Sequence, residues 1–249
     1  MRFKNKVALV TGGSRDIGKA IAMKMAAEGS RTIINYFQST DAAEKTLAAI
    51  RSAGGDAFIF KADLTKATEV EKLKKFCVAT YGSHVDILIN NAGGIVGRKK
   101  LEEQDEAFYT TVMDLNFRSL FLMMKAFVPL LSSGGAIVNV SSQAARDGGG
   151  GGASIYAASK GAVTSYTRAL AKELAPGIRV NSVCPGLISS TFHDLFTAND
   201  VRERVAASTP LRREGTTEDV ANLVAFLASD EAAFITGSNY DINGGLSFS

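Results

Sequence analysis

The sequence predicts an α/β fold in which a doubly wound parallel sheet of about seven strands carries helices on both faces. Two observations support this prediction. Short runs rich in β-branched residues alternate with amphipathic segments along the 249 residues, and this alternation is typical of βαβ units. The runs are almost continuously apolar, as expected for strands that helices cover on both sides. No repeat or linker interrupts the pattern, so we expect a single domain spanning residues 1–249.

The β-branched runs place six strands, and the amphipathic segments between them place five helices. The predicted strands span residues 6–11, 31–36, 56–62, 85–90, 135–141 and 178–184. The predicted helices span residues 17–28, 41–53, 67–80, 105–131 and 154–175. This order is that of a Rossmann-type sheet, in which ligands bind beyond the carboxyl ends of the strands. The five consecutive glycines 148–152 are predicted to form a loop rather than a linker.

Composition and charge argue against several classes of protein. The net charge is +3 and no Lys/Arg-rich block occurs, so we expect no nucleic-acid partner. The two cysteines, Cys77 and Cys184, form no CxxC pair, which argues against a disulfide or metal framework and for a reducing compartment. The N-terminus has no secretory signal pattern, and the apolar segment around Lys125 is too short to cross a bilayer. We therefore expect a cytoplasmic protein with no membrane partner.

A glycine-rich turn follows the first predicted strand and opens the first predicted helix, with the sequence TGGSRDIG at residues 11–18. Gly12 permits a tight turn, and Gly18 allows close packing of helix on strand. The N–H groups at the start of the helix would then face a pyrophosphate. We predict a dinucleotide site formed by Gly12, Ser14, Arg15, Asp16, Ile17 and Gly18.

Two further motifs follow strands at the same edge of the predicted sheet. The sequence DL comes after the third strand, and NNAG at residues 90–93 comes after the fourth. Because the carboxyl ends of parallel strands meet at one edge, these motifs are expected to line the same site. The predicted cofactor contacts therefore also include Asp63, Leu64, Asn90, Ala92 and Gly93.

The end of the second strand favours NADP(H) over NAD(H). An NAD site usually places a carboxylate there to bind the ribose 2′-hydroxyl. The sequence instead has Asn35 and Tyr36, which we predict as cofactor contacts, and Asp41 falls within the next helix. Arg15 in the glycine-rich turn could instead pair with a 2′-phosphate, since guanidinium binds phosphate in a two-pronged geometry.

A tyrosine and a lysine four residues apart are the predicted catalytic pair. Tyr156 and Lys160 share one face of the helix that follows the fifth strand. A tyrosine ionises near pH 10 when unperturbed, so a nearby ammonium that stabilises the phenolate would help it exchange protons near neutral pH. Ser142, at the end of the fifth strand, could donate a hydrogen bond to a carbonyl oxygen that becomes an alkoxide.

Taken in order, the motifs TGGSRDIG, DL, NNAG, LN, SS, YAASK, PG and the tail TGSNYDINGG resemble the classical short-chain dehydrogenase/reductase family over essentially the whole chain. The resemblance implies that Tyr156 acts as the general acid during reduction and that Lys160 lowers its pKa and binds the nicotinamide ribose. It also implies that Ser142 orients the carbonyl and that Asn116 holds a water in a proton relay.

The resemblance extends the cofactor site and suggests an assembly. Residues 185–188, PGLI, would contact the nicotinamide end of the cofactor, and Ser190 or Thr191 would serve its carboxamide. The further contacts that it implies are Val140, Pro185, Gly186, Ile188 and Ser190. Members of the family are commonly tetramers built on the helices around 105–131 and 154–175, so a homotetramer is expected.

Two local departures from the family pattern affect the site. Asp16 replaces the middle glycine of the turn, and we expect its carboxylate to cap the first helix, to face away from the pyrophosphate and to cost some cofactor affinity. Ser142 lies 14 residues before Tyr156, one more than the commonest spacing. The five-glycine loop is expected to absorb the extra residue, which leaves Ser142 rather than Gln143 as the catalytic serine.

The substrate is less sharply predicted than the cofactor. Many relatives are 3-oxoacyl-[acyl-carrier-protein] reductases with basic residues for the acidic carrier, but residues 130–136, LLSSGGA, have none, and Arg179 alone is a thin patch. This favours a small free carbonyl or a sugar-like substrate. The substrate region is expected at 187–214, with Phe192, His193 and Phe196 as candidate pocket residues.

The predicted function is an NADP(H)-dependent oxidoreductase that interconverts a ketone and a secondary alcohol. The alternatives are a 3-oxoacyl-[acyl-carrier-protein] reductase and an NAD-dependent sugar or polyol dehydrogenase. A nucleotide-sensing regulatory protein is disfavoured, because Asn116, Ser142, Tyr156 and Lys160 are all present. A P-loop phosphotransferase is excluded by the lack of a GxxxxGK[ST] motif.

Overall fold

The computed structural model describes residues 1–191 and 196–248. Within these ranges seven parallel strands form one sheet, which confirms the predicted fold class. The strands are β1 (Val7–Val10), β2 (Arg31–Tyr36), β3 (Asp56–Lys61), β4 (Val85–Asn90), β5 (Leu131–Val140), β6 (Ile178–Pro185) and β7 (Asn239–Ile242). Their order in the sheet is β3-β2-β1-β4-β5-β6-β7.

Helices connect the strands and cover both faces of the sheet. They are α1 (Asp16–Ala27), α2 (Thr40–Ser52), α3 (Ala67–Tyr81), α4 (Glu106–Met113), α5 (Ser119–Phe127), α6 (Ala144–Asp147), α7 (Ser154–Leu174), α8 (Asn199–Ser208) and α9 (Thr217–Ala228). Within the described part of the chain, no helix is both long and apolar enough to cross a membrane.

The predicted helix 105–131 is interrupted and ends earlier than expected. A π-helical turn, Asp114–Arg118, separates α4 from α5, and a 3-10 turn, Val128–Leu130, follows α5. Pro129 lies in that last turn, where its missing N–H group prevents the α-helix from continuing. Strand β5 then begins at Leu131, four residues before its predicted start.

Alternate residues of β1 enter two separate cores, because successive side chains of a strand point to opposite faces. Ala8 and Val10 pack with α1, α2 and α9, whereas Val7 and Leu9 pack with α3, α5 and α7. Both cores exclude water almost completely, and all four of these strand residues are fully buried. This double coverage explains why the strands are apolar along their length rather than alternating with polar residues.

The strand order reverses direction between β1 and β4. From β1 the chain proceeds to β2 and β3 on one side, and from β4 it proceeds to β5, β6 and β7 on the other. A crevice therefore opens above the carboxyl ends of β1 and β4, where sheets of this type bind ligands. The glycine-rich turn, residues 90–93 and the Tyr156 helix all follow strand ends at this edge.

Candidate active site

Two glycines of the glycine-rich turn occupy positions where a side chain would be strained or would clash. Gly12 has a φ of +61°, in the left-handed region. A Cβ on Gly18 would lie 2.2 Å from the Gly12 carbonyl oxygen, far inside van der Waals contact. Asn35, at the end of β2, supports the turn, since its Oδ1 accepts from the Gly12 N–H at 3.4 Å and its carbonyl oxygen accepts from the Gly13 N–H at 3.0 Å.

The turn forms one end of a cleft of about 260 Å³ that extends along the carboxyl edge of the sheet. Many of the predicted site residues meet on its walls. They are Gly12, Arg15, Asp16, Ile17, Gly18, Gly93, Val140, Ser142, Tyr156, Lys160, Pro185, Gly186, Ile188 and Ser190.

The remaining predicted residues are not among those that line the cleft; they are Ser14, Asn35, Tyr36, Asp63, Leu64, Asn90, Ala92 and Asn116. Asn35 is 2% exposed, and its Nδ2 donates to Tyr36 O and Ala62 O at 3.2 and 3.1 Å. Its amide is thus committed to the strand ends. Ser14 is also buried, with its carbonyl oxygen accepting from the Thr46 hydroxyl at 3.0 Å.

Asp63 forms a turn that leads into α3. Its Oδ1 accepts from the backbone N–H and the hydroxyl of Thr65, at 3.1 and 2.7 Å, and its Oδ2 lies 3.3 Å from Lys66 Nζ. Partial burial would raise the pKa of Asp63, but the Thr65 hydrogen bonds and the Lys66 ammonium outweigh it, so the pKa lies below its ordinary value. The carboxylate is therefore ionised and held in one orientation.

The start of α1 is suited to a pyrophosphate. The helix begins at Asp16, and among the described residues no side chain caps its first turn. The first N–H groups of a helix lack intrahelical partners, and here Asp16, Ile17 and Gly18 form part of the cleft wall. Together with the left-handed Gly12, this arrangement fits the phosphates of a dinucleotide.

The expectation that Asp16 caps α1 is wrong. Its carboxylate instead accepts two hydrogen bonds from Thr191, one from the backbone N–H at 2.9 Å and one from the hydroxyl at 2.7 Å. Arg15 Nε lies 3.8 Å from the same carboxylate. Asp16 does adopt the expected left-handed backbone, with a φ of +51°. Asp16 is the first residue of α1, and Arg15 holds the preceding N-cap position. The Asp16 carboxylate is therefore not placed to cap the helix, and it faces Thr191 instead.

Thr11 and Asn91 join the turn to the end of β4, and the sequence argument did not single them out. The Thr11 hydroxyl oxygen accepts from the N–H groups of Asn91 and Ala92 at 2.9 and 3.0 Å. Asn91 Nδ2 donates back to the carbonyl oxygens of Thr11 and Gly12 at 3.0 and 3.1 Å. Thr11 lies within the motif TGGSRDIG and Asn91 within NNAG. The sequence therefore contained both residues in recognised motifs, although it did not indicate that they bond each other.

Asn116 lies in the π-helical turn and fixes the loop after β4. Its Oδ1 accepts from the Gly94 N–H at 2.9 Å, and its Nδ2 donates to Gly94 O and Val112 O, both at 3.0 Å. A Cβ on Gly93 would come within 2.7 Å of this Oδ1 and 3.1 Å of Lys160 Nζ. Gly93 therefore lets the loop approach both side chains, and the π turn occurs at the functional site, as such turns often do.

Lys160 is buried beneath the cleft. It is 4% exposed, and its Nζ donates to Val140 O at 2.9 Å. Burial lowers the pKa of Lys160 to about 8 from the ordinary 10.5. A buried ammonium is costly, and perturbed lysines of this kind are typical of functional sites.

Tyr156 and Ser142 line the same cleft as the glycine-rich turn. Burial raises the pKa of Tyr156, while the Ser142 hydroxyl and the Arg98 guanidinium act in the opposite direction. Lys160 Nζ lies 5.9 Å from the centre of the Tyr156 ring. Burial has the largest influence on the pKa of Tyr156 and raises it. The expected lowering of this pKa by Lys160 stays a prediction.

The structure favours Ser142 over Gln143 and Ser190 over Thr191 at the two positions that the sequence left open. Ser142 lines the cleft, whereas Gln143 Nε2 donates to Asp147 at 2.8 Å and lies outside the cleft wall. Ser190 also lines the cleft, while the hydroxyl of Thr191 is engaged by Asp16.

The substrate end includes residues that the sequence argument did not select. Arg98, Gly149, Gly150 and Ala153 line the cleft beside Tyr156. Of the predicted pocket residues, Phe192 and His193 lie outside the described residues. Phe196 is described, and its carbonyl oxygen accepts from Arg98 Nε at 3.4 Å.

A dinucleotide-type turn facing a tyrosine, a serine and a buried lysine defines a nucleotide-dependent oxidoreductase. Comparison with known proteins agrees: the family model described as enoyl-(acyl carrier protein) reductase matches residues 12–247. A 3-oxoacyl-[acyl-carrier-protein] reductase of Staphylococcus epidermidis is 39% identical, over 97% of this chain and 99% of its own length. A short chain dehydrogenase/reductase of Aspergillus novofumigatus is 37% identical, over 98% and 96%.

Solved structures give the same result. A short-chain dehydrogenase/reductase from Serratia marcescens matches with a TM-score of 0.93 and 33% identity, over all of both chains. A short chain dehydrogenase from Burkholderia cenocepacia in complex with NADP (TM-score 0.91, 33% identity) and an NADH-dependent reductase responsible for alginate metabolism (0.90, 38%) each match over 99% of both chains. The chain belongs to the short-chain dehydrogenase/reductase family, whose members are NAD(P)-dependent oxidoreductases acting on CH–OH and C=O groups.

Replacing Lys160 by Met should change how stability depends on pH. The depressed pKa means that the folded protein binds this proton less tightly than the unfolded chain, so the cost is full below pH 8 and fades as the pH rises towards 10.5. Between pH 7 and pH 9, the wild-type free energy of unfolding should rise by about 1 kcal/mol relative to Lys160→Met. Urea denaturation of both proteins at the two pH values measures this difference, and parallel pH curves would contradict the assignment.

Two substitutions of Asp16 should distinguish the effect of its negative charge from the effect of its hydrogen bonds to Thr191. Asp16→Asn removes the charge but keeps an acceptor for the Thr191 N–H, and Asp16→Gly removes both. The dissociation constant for NADPH should fall about two- to fivefold in both variants, as expected for one charge beside a helix N-terminus. The KM for the carbonyl substrate should rise only in Asp16→Gly. Fluorescence titration and steady-state kinetics measure the two effects, and weaker NADPH binding in both variants would show that the carboxylate helps the cofactor.

Proposed function

We propose that the protein is an NADP(H)-dependent oxidoreductase that interconverts a ketone and a secondary alcohol, with Tyr156 as general acid and base. The observation that supports this most strongly is that Tyr156, Ser142 and buried Lys160 line the same cleft as the glycine-rich turn. In this proposal the proton-transfer groups and the nucleotide therefore share one cavity.

Each polar group at this end has a distinct task in the proposed reaction. The nicotinamide, when bound, supplies or accepts the hydride. Tyr156 donates its proton to the carbonyl oxygen during reduction and accepts it during oxidation. The Ser142 hydroxyl donates a hydrogen bond to the same oxygen and orients it. The buried Lys160 ammonium favours the tyrosinate that is left and would bind the nicotinamide ribose.

The proposed role of Asn116 is to hold a relay water indirectly. Both ends of its amide are bonded to the backbone of Gly94 and Val112. These bonds fix the π-helical turn beside Lys160, so that backbone groups of this region can position a water for the relay. We place the other predicted cofactor contacts, such as Asn90, Ala92 and Leu64, in the wall that supports the nucleotide.

The preference for NADP(H) rests on charge at the end of β2. The strand ends with Asn35 and Tyr36 rather than with an acid, and Arg15 is half-exposed on the cleft wall, with 57% of its side chain accessible. A guanidinium there can pair with a 2′-phosphate. Among the similar structures one is named as a complex with NADP and another as NADH-dependent, so an NAD-dependent sugar or polyol dehydrogenase is the alternative.

A 3-oxoacyl-[acyl-carrier-protein] reductase is the second alternative, since the Staphylococcus epidermidis relative has that name. The basic patch considered for the carrier does not adjoin the cleft. Arg179 lies at the amino end of β6, and its Nη1 and Nη2 donate to Leu227 O and Ser229 O at 2.8 and 2.9 Å. Because its guanidinium bonds the protein's own backbone, Arg179 does not offer its charge to an acidic carrier protein. This supports a small free carbonyl substrate.

We further propose that the chain folds as a single domain and that four copies of it assemble into a homotetramer. Tyr109 on α4 and Phe121 on α5 are 52% and 41% exposed, which supports an interface on these helices. A cytoplasmic location and the lack of a nucleic-acid partner are further predictions from the sequence.

Replacing Tyr156 by Phe tests the catalytic assignment. The variant should lose at least about a hundredfold in kcat, because general acid catalysis contributes on this scale, while its dissociation constant for NADPH should change less than twofold. A ketone panel with NADPH oxidation followed by absorbance provides the measurement.

Tyr81→Phe is the matched control, since it removes the same hydroxyl from the end of α3, where Tyr81 donates to Asp56 and does not line the cleft. It should retain wild-type kcat. Survival of turnover in Tyr156→Phe would show that another group transfers the proton.

Replacing Arg15 by Ala tests the cofactor preference. The dissociation constant for NADPH should rise about tenfold, the scale of a charge-assisted hydrogen bond, while that for NADH should change less than twofold. Lys19→Ala is the control, because this exposed charge on α1 should affect both cofactors equally. Tighter binding of NADH than NADPH by the wild type would refute the preference.

A further inference from the structure

The five-glycine loop, residues 148–152, forms a wall of the cleft beside the proposed catalytic tyrosine. Gly149 and Gly150 line the same cavity as Tyr156. Three of the five glycines have φ angles between +73° and +83°, a left-handed conformation that other residues seldom adopt. The loop thus brings bare backbone to the substrate end of the cleft.

Arg98 packs directly on this loop. The guanidinium Nη1 donates to Gly151 O at 3.1 Å, and the next residue, Lys99, donates its N–H to Gly152 O at 3.0 Å. A Cβ on Gly150 would lie 3.2 Å from Nη1, so a larger residue there would press on the guanidinium. The glycines therefore give Arg98 room to lie at the cleft.

Among the residues that the structure describes, no carboxylate balances the positive charge of the Arg98 guanidinium. Its described hydrogen bonds go to the carbonyl oxygens of Gly151 and Phe196. Within residues 1–191 and 196–248, no Asp or Glu forms an ion pair with it. Asp147, which precedes the loop, accepts from Gln143 Nε2 and the Gly149 N–H instead. Two of the five N–H groups of the guanidinium are used, which leaves a donor pair for a ligand.

This charge acts at the reacting end of the cleft. Arg98 lines the same cavity as Tyr156 and Ser142, and its guanidinium is one of the groups that lower the pKa of Tyr156. A single small molecule held through its carbonyl oxygen at Tyr156 can therefore extend to Arg98.

We propose that Arg98 binds a carboxylate of the carbonyl substrate, so that this enzyme prefers oxo acids to neutral ketones. The proposal rests on the proposed function, because that function places the reacting carbonyl at Tyr156. A planar guanidinium binds a carboxylate through two parallel N–H···O bonds. Among the described residues at this end of the cleft, Arg98 is the exposed cation, and one such charge matches a singly charged carboxylate better than a doubly charged phosphate.

The test compares each oxo acid with its methyl ester, which has the same ketone without the charge. Wild-type kcat/KM should be at least about tenfold higher for the preferred acid than for its ester. Arg98→Met should lower kcat/KM for the acid about ten- to hundredfold, the scale of a hydrogen bond to a charged group. The ester should lose no more than about threefold, since it loses only the effect of the Arg98 charge on Tyr156, which both substrates share. Arg98→Lys should retain part of the preference, because an ammonium keeps the charge but loses the two-pronged geometry.

Lys172→Met is the charge-matched control, since it removes one exposed positive charge at the far end of α7, and it should leave both substrates unaffected. Equal losses for acid and ester in Arg98→Met, or a wild type with no preference for acids, would overturn the proposal. A preference for phosphate-bearing ketones over oxo acids would also overturn it. Turnover that survives Tyr156→Phe would instead refute the proposed function, so the two failures are distinguishable.

Discussion

The hydrogen bonds between Thr11 and Asn91 are the constraint on which the site depends. They join the end of β1 to the end of β4, the two strands between which the sheet order reverses. Because each side chain bonds the other residue's backbone, the glycine-rich turn and the NNAG loop hold a fixed separation. Gly93 can then approach Asn116 and Lys160. The nucleotide end and the proton-transfer end of the cleft thus share one support.

The proton-transfer end concentrates features that are costly elsewhere in a protein. Lys160 is buried with Val140 O as its hydrogen-bond acceptor, and burial pushes its pKa down to about 8. Burial also raises the pKa of Tyr156, its neighbour one helical turn away. The π-helical turn that carries Asn116 interrupts an otherwise regular helix at this point. These features lower stability and agree with a site selected for chemistry.

The two departures from the family pattern leave the glycine-rich turn folded and add contacts elsewhere in the cleft. Asp16 is tied to Thr191, so a residue of the glycine-rich turn restrains the segment that follows β6. The five-glycine loop lengthens the connection before Tyr156 and accommodates Arg98. The cofactor-binding turn keeps its shape in each case, since Asp16 accepts a left-handed backbone.

The sequence alone determined the fold class, the positions of six of the seven strands and the set of motifs, because apolar periodicity and glycine spacing are local properties. It also selected Ser142, Tyr156 and Lys160, since they stand at strand ends and at one helical spacing. The tertiary structure alone decided which partner Asp16 bonds and that Arg98 lines the same cleft as Tyr156. These outcomes depend on contacts between residues distant in the chain, and no local pattern encodes the distance between two such side chains.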